Sequence, residues 1–373
     1  MSITVTDEQA RRLRVRAQRL DPEFSTAPDV SQVVKEVAGL QAQDMSAATL
    51  GVRVRSTGSV AADVHRARIE DRSVVRTWCM RNTLHLVAAD DLAWMMPVFQ
   101  PAFLPANRRR RAQLGLDDET LTRGVAGLVG LLASNGPQTR SEIVAGLAPH
   151  GIYLAGQAAP HLIAYAALAG KVCQGPDRGR EPTYVRLEDW LTPPKAVSRE
   201  TALGELARRY LAAYGPARPE DLAAWCGLPM ADVRASWTAI ASERAEVTLG
   251  GRAAWMPKSN LQRIDEASRR AGAVRLLPAF DTYLLGYKNR ESVVPREHAK
   301  RVNAGGGILH PVLLVDGAAR GTWRTTRRAR RVGITIEPFE RIPAALEARI
   351  QAEVRDIGRF LGTEAALRKA EAQ

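Results

Sequence analysis

Between residues 121 and 133, Leu121, Val125, Leu128, Leu131 and Leu132 recur at the helical period and give one apolar face. The stretch "NGPQTRSEIVAGL" at 135–147 follows, with Gly-Pro, a short polar cap and a second helical pattern. A third helix is expected over 157–169, and "KVCQGPDRGREPTYVRL" reads as two short strands around a Gly/Pro/Asp/Arg loop. Three helices and a hairpin make a winged helix. The unit recurs: "YGPARPEDLAAWCGL" at 214–228 echoes the first copy, with helices over 201–214, 219–226 and 230–241, and "EVTLGGRAAWM" turns at Gly250-Gly251.

The N-terminal segment fits the same plan in a more elaborate form. Helices are expected over 7–20, 30–38, 45–56 and 60–70, the second with Asp29 and Gln32 at capping-box spacing and Val30, Val33, Val34 and Val37 on one face. "SVVRTWCMRNTLHLV" reads as a hairpin turning at Arg81-Asn82. From residue 273 the pattern becomes β-rich in "VRLLPAFDTYLLGY", "HPVLLVDGAARGTWR" and "RRVGITIEPF", and an amphipathic helix closes it over 343–360. The expected fold class is α+β: winged helices over 1–95, 115–192 and 198–258, then a β-barrel-like domain over 273–373.

Composition narrows the partner. The chain of 373 residues carries a net charge of +13, and only seven of its 53 basic residues are Lys. Winged helices neutralise phosphates with Arg and Lys, so three in tandem with this charge favour DNA over a protein partner. Two Arg runs support that choice: Arg108–Arg111 before the second unit, and Arg327, Arg328, Arg330 and Arg331 around a strand start. A polar loop from Glu291 to Gly307, with Arg296, Lys300 and Arg301 ahead of three glycines, is a candidate strand-following segment.

Other classes lose ground. Cys79, Cys173 and Cys226 are isolated, with neither C-x-x-C nor a His pair, so no metal and no disulfide framework is expected. The N-terminus lacks the apolar run of a signal peptide, and no stretch of about 18 apolar residues could span a bilayer. A cytoplasmic, nucleoid-associated protein without a membrane partner is expected. There is no G-x-S-x-G, H-E-x-x-H or Walker sequence, and Gly305–Gly307 lacks the Gly-Lys-Ser/Thr continuation.

One short stretch carries a different signal. "AGLQAQDMSAATLGVRVR" at 38–55 sets Gln41 and Gln43 one residue apart, with Asp44 directly after them. On a helix the two amides diverge, whereas on extended backbone they share a side. Gly39 offers a helix stop, so the pair is placed at a helix end where both amides converge. Spacing alone leaves them as two surface glutamines.

"GLQAQ" with "SAATLGVR", then "RTWCMRNTLHLV" and "RLLPAFDTYLLGYKNR", resemble the winged-helix DNA glycosylases of the azinomycin-resistance type, the AlkZ/YcaQ-like family, in order and spacing along essentially the whole chain. The resemblance implies tandem winged helices with a C-terminal β-barrel. It also implies a catalytic Gln, apolar, Gln signature, matched by Gln41, Ala42 and Gln43. A related branch carries Asp at the last position; Gln43 places this chain with the crosslink-unhooking, self-resistance type. The implied activity is hydrolysis of the N-glycosidic bond of N7-alkylated purines in double-stranded DNA, with an abasic site as product. Arg53, Arg55, Arg76 and Arg81 are expected to meet phosphate near the pair, and Arg296, Lys300, Arg301, Arg327 and Arg328 elsewhere on the duplex. A monomer without cofactor or metal is expected, and the single nearby lysine, Lys35, reads as solvated, so no Schiff-base chemistry is expected. The competing readings are a non-catalytic winged-helix transcription regulator, for which the glutamines are mere surface, and a structural adaptor.

Overall fold

Side-chain caps set the helix starts. In the computed structural model, which describes residues 3–21, 29–192, 195, 197–267, 273–328 and 331–368, Thr6 and Gln9 form a capping box at helix Asp7–Ala17. Asp29 accepts the Gln32 amide at Val30–Glu36, and Thr139 with Glu142 boxes Arg140–Leu147. The patterned segments form Asp118–Asn135, Arg140–Leu147 and Ala158–Leu168, then strands Val172–Gln174 and Thr183–Arg186. They recur as Arg199–Tyr214, Pro219–Cys226 and Met230–Ala239, followed by strands Arg244–Leu249 and Arg252–Pro257. Apolar faces bury as the periodicity requires: Leu121, Leu128 and Leu132 pack with Ile143, Leu162 and Ile163.

Backbone pairing joins these pieces in ways the side-chain pattern does not announce. A six-stranded sheet runs Leu40–Gln41, Leu84–Ala88, Val74–Trp78, Val172–Gln174, Thr183–Arg186 and Gln138–Thr139. The N-terminal hairpin therefore shares a sheet with the next one, through Arg76 opposite Gln174. Strand Ile3–Val5 pairs in parallel with Arg244–Leu249, tying the chain start to the third hairpin.

The C-terminal region of this mixed α+β fold is a curled, open half-barrel. Its order is Val274–Leu277, Val312–Val315, Ala318–Arg328, Arg331–Pro338 and Glu364–Arg368. Helix Ala344–Leu361 explains the opening. It packs against both edge strands, and its Ile350, Val354 and Ile357 cover the apolar face, with Leu276, Leu313 and Ile334, that closure would have enclosed. No helix among the described residues is long and apolar enough to cross a membrane.

Two arginines bind helix Met45–Arg53 to this region, and both leave the set of expected phosphate contacts. Arg53 is 1 % exposed and donates to Glu353 Oε2 at 3.1 Å, Asp356 Oδ2 at 3.0 Å and the Leu276 carbonyl at 3.0 Å. Arg55 is fully buried and forms a two-pronged pair with Asp281 at 2.7 and 2.8 Å. A guanidinium enclosed with its counter-charge has no face left for a phosphate. The Arg108–Arg111 run is also partly committed: Arg108 pairs with Asp118, while buried Arg111 donates to the Leu104 and Ala106 carbonyls.

Replacing Arg55 by Met strands the buried Asp281 carboxylate, and the expected loss is about 3–5 kcal/mol in urea unfolding. The Arg55→Met, Asp281→Leu double variant should recover much of it. A single variant within about 1 kcal/mol of wild type would show that the pair does not hold this junction.

Candidate active site

The glutamine pair lies immediately after a helix reversal, Gln41 on a short strand and Gln43 in the bend that follows. Helix Val30–Glu36 gives way to Ala38 and Gly39, both with positive φ, 53° and 107°. Gly39 is required there, because a Cβ would also lie 3.1 Å from Met80 Cε. The chain then enters strand Leu40–Gln41, where Leu40 faces Leu86 and Gln41 faces His85 across the ladder. The expected helix-end position is thus a short strand that ends at Gln41 and a bend that carries Gln43, and the two amides meet across it. Gln41 Nε2 donates to Gln43 Oε1 at 2.6 Å. Gln41 is 9 % exposed and Gln43 is open to solvent. Asp44 does not join them, because its Oδ1 accepts the Ser46 and Ala47 amides and caps helix Met45–Arg53.

Arg76 and Arg81, expected at phosphates, hold this segment instead. From strand Val74–Trp78, on the far side of Leu84–Ala88 in the sheet, Arg76 donates through Nε to the Ala42 carbonyl at 2.9 Å and through a terminal nitrogen to the Gln43 carbonyl at 3.3 Å. Arg81 occupies the hairpin turn with φ 54°, followed by Asn82 with φ 53°. One of its terminal nitrogens donates to Gln41 Oε1 at 2.6 Å and lies 3.4 Å from His85 Nε2. The other donates to the Trp225 carbonyl at the end of helix Pro219–Cys226. That helix comes close because Gly227 ends it: a Cβ there would sit 3.0 Å from Arg81 Cα. Burial lowers the pKa of both arginines, for Arg76 with the neighbouring Arg68 adding to it.

These contacts fix the direction of every amide. Gln41 Oε1 accepts from Arg81, so its Nε2 must face Gln43, whose Oε1 accepts. Gln43 keeps its amino protons and one oxygen lone pair for a solvent-side partner. His85, 1 % exposed, places Nδ1 at 2.9 Å from the Thr83 carbonyl. A carbonyl accepts only, so Nδ1 carries the proton and Nε2 is the acceptor facing Arg81. Burial, then the Arg81 charge, pushes the His85 pKa down to about 3, so the ring is neutral.

The remaining expected DNA contacts lie on the C-terminal region. Exposed Arg296 pairs with Glu291 at 2.8 Å, and Lys300 is exposed on helix Ala299–Val302. Arg301 donates to the Glu337 carbonyl at 3.2 Å and sits 4.9 Å from the Phe339 ring centroid. The expected loop holds two short helical turns, Arg296–His298 and Ala299–Val302, and ends in a hairpin, Asn303–Gly305 against Ile308–Leu309. Arg327 is exposed near the end of its strand; Arg330 and the Arg328 side chain lie outside the described residues. Sequence reading missed His85 and the Trp225 carbonyl. His85 could have been found only from the strand pairing, which sets it opposite Gln41.

Among the described residues no group of three His, Cys, Asp or Glu could hold a metal ion, and burial pushes all three thiols up to about 12. A paired, half-open amide site of this kind has the geometry to hold a water molecule. The chain matches the AlkZ-like DNA glycosylase family model over residues 34–360, and it belongs to that family. It is 28% identical over 369 residues to the interstrand DNA cross-link repair glycosylase of Streptomyces sahachiroi, covering 94% of this chain and 95% of that protein. The solved structure of the Streptomyces sahachiroi DNA glycosylase AlkZ superposes with a TM-score of 0.83 at 25% identity, over 99% of this chain and 100% of that one.

A neutral buried His85 makes stability acid-sensitive. Its folded pKa lies below the ordinary value of 6.5, so the unfolded chain takes up the proton first and stability falls as pH drops below about 6.5. Between pH 7 and pH 5 this residue should account for about 2 kcal/mol. Urea unfolding of wild type and His85→Gln at both pH values measures it; equal pH dependence in the two proteins would contradict a neutral, buried imidazole.

Proposed function

We propose that this chain excises N7-alkylated purines from double-stranded DNA as a monofunctional glycosylase, with Gln41 and Gln43 positioning the hydrolytic water. The observation that carries the reading is the locked amide pair: Arg81 fixes Gln41, Gln41 fixes Gln43, and Gln43 meets solvent. Alkylation at purine N7 puts positive charge on the base and makes it a good leaving group, so the glycosidic bond breaks with modest help. Two oriented amides suit that demand. An oxygen can accept from water below C1′ and face the developing sugar cation, giving proximity and dipole stabilisation without a strong base. The product is an abasic site in an intact strand.

Three helix-and-hairpin units, read as winged helices over 1–95, 115–192 and 198–258, serve as the duplex-binding frame in this proposal. The ordered hairpin near Gly305, with Lys300 beside it, and Arg327 are its contacts on the C-terminal side. The name of the Streptomyces sahachiroi relative supports extending the substrates to interstrand crosslinks. An exposed Gln43 fits that extension, because a crosslinked base cannot be withdrawn into a closed pocket.

The test is release of free base from DNA containing 7-methylguanine. Gln41→Ala and Gln43→Ala should each slow release by about 10- to 1,000-fold while leaving duplex affinity in place. Gln43→Asp should retain part of the activity, since a carboxylate can hold the same water. Wild-type rates in both alanine variants would remove the pair from the mechanism.

A further inference from the structure

A cavity of about 510 Å³ opens where the third unit meets the C-terminal region, and its walls are unevenly charged. Arg218, Arg252, Lys288 and Arg290 supply four cations, against the acids Glu220, Asp221 and Glu291. Two of those acids are already engaged. Asp221 accepts the backbone amides of Lys288 and Arg218, each at 3.0 Å, and Glu291 pairs with Arg296 at 2.8 Å. Arg218 is committed too, to the Leu249 carbonyl at 2.6 Å and the Ala253 carbonyl at 3.1 Å.

Arg290 is different. It is half-buried, its Nε donates to the Leu284 carbonyl at 2.7 Å, and among the described residues no acid pairs with it. Burial lowers its pKa, and its charge is felt by Arg81, the residue that orients Gln41. A half-buried cation without a carboxylate partner is an unfavourable arrangement that an incoming anion relieves. The wall that carries it is stiff: Tyr287 donates to the Tyr214 carbonyl at 2.9 Å, and the Arg290 carbonyl accepts from Val293 and Val294 at 2.9 and 2.7 Å. Ordering has therefore been completed before any ligand arrives.

We propose that this cavity seats a backbone phosphate of the DNA strand being repaired, held by Arg290 and Lys288. Arg290 presents its terminal nitrogens to the phosphate oxygens, in the fork geometry that suits phosphate, and Lys288 adds a point charge at the rim. The bound phosphate fixes the register of the strand relative to Gln41 and Gln43. The inference rests on DNA as the partner, but not on which base is removed.

The experiment is binding of an undamaged duplex across a salt series, for wild type, Arg290→Gln and Lys288→Gln. Loss of one phosphate contact should lower the slope of log K against log salt by about 1 and weaken binding by about 3- to 10-fold near 0.1 M salt. Arg290→Lys should restore part of the slope. Unchanged affinity and slope in Arg290→Gln, or weaker binding with an unchanged slope, overturns the assignment and leaves Arg290 as a strut on Leu284. Should Arg290→Gln fail to fold, exposed Lys288→Gln gives the same reading, and an unchanged slope there is equally decisive. Base release by the wild type, run in parallel, separates the two claims: a reduced slope with no release keeps the phosphate site and removes the glycosylase reading.

Discussion

The site depends on how the Arg81 guanidinium is satisfied. A half-buried cation must find acceptors, and here they are an amide oxygen, a neutral imidazole nitrogen and a helix-end carbonyl, not an acid. Each has a consequence. The bond to Gln41 Oε1 removes the amide's freedom to flip, the contact with His85 requires a ring that stays unprotonated, and the bond to Trp225 brings the third unit against the first. A carboxylate at any of these places would satisfy the cation more strongly. It would also bring a fixed negative charge to a centre where, on the proposed mechanism, neutral dipoles meet a substrate that already carries the positive charge.

The same logic changes what the basic composition means. A net charge of +13 invites the reading that arginines coat a DNA-binding face. Several of them are interior parts. Arg53 and Arg55 lock the N-terminal region to the half-barrel through Glu353, Asp356 and Asp281, Arg76 supports the backbone of the glutamine segment, and Arg111 closes a turn. Arg290, half-buried with a single carbonyl acceptor and no acid partner among the described residues, is the arginine assigned above to a phosphate.

The helices were legible because caps and apolar periodicity act locally: Asp29, Thr139 and Ser198 mark their starts within the residues they cap. Long-range backbone pairing was not. Ile3–Val5 joins a hairpin far along the chain, and "EAALR" at 364–368, composed of good helix formers, becomes a strand because Arg331–Pro338 offers it an unpaired edge. The burial of Arg53 and Arg55 was equally hidden, since "GVRVR" looks half-exposed until partners more than 200 residues away are in place. The glutamine pair was found from its resemblance to a family. Its spacing and Gly39 pointed to a helix end, whereas the positive φ at Ala38 and Gly39 turns the chain into the short strand that carries Gln41.

The central claim is that Arg81 acts on the reaction through Gln41, and a double-mutant cycle on single-turnover base release tests it most directly. Gln41→Ala, Arg81→Gln and the double variant are compared on 7-methylguanine DNA, with thermal melting as the check on folding. If Arg81 works by orienting Gln41, its substitution slows the wild type but adds little once Gln41 is gone, a non-additivity of about 1–3 kcal/mol. Losses that multiply in the double variant would contradict the account, because Arg81 would then be acting independently of the amide that it holds.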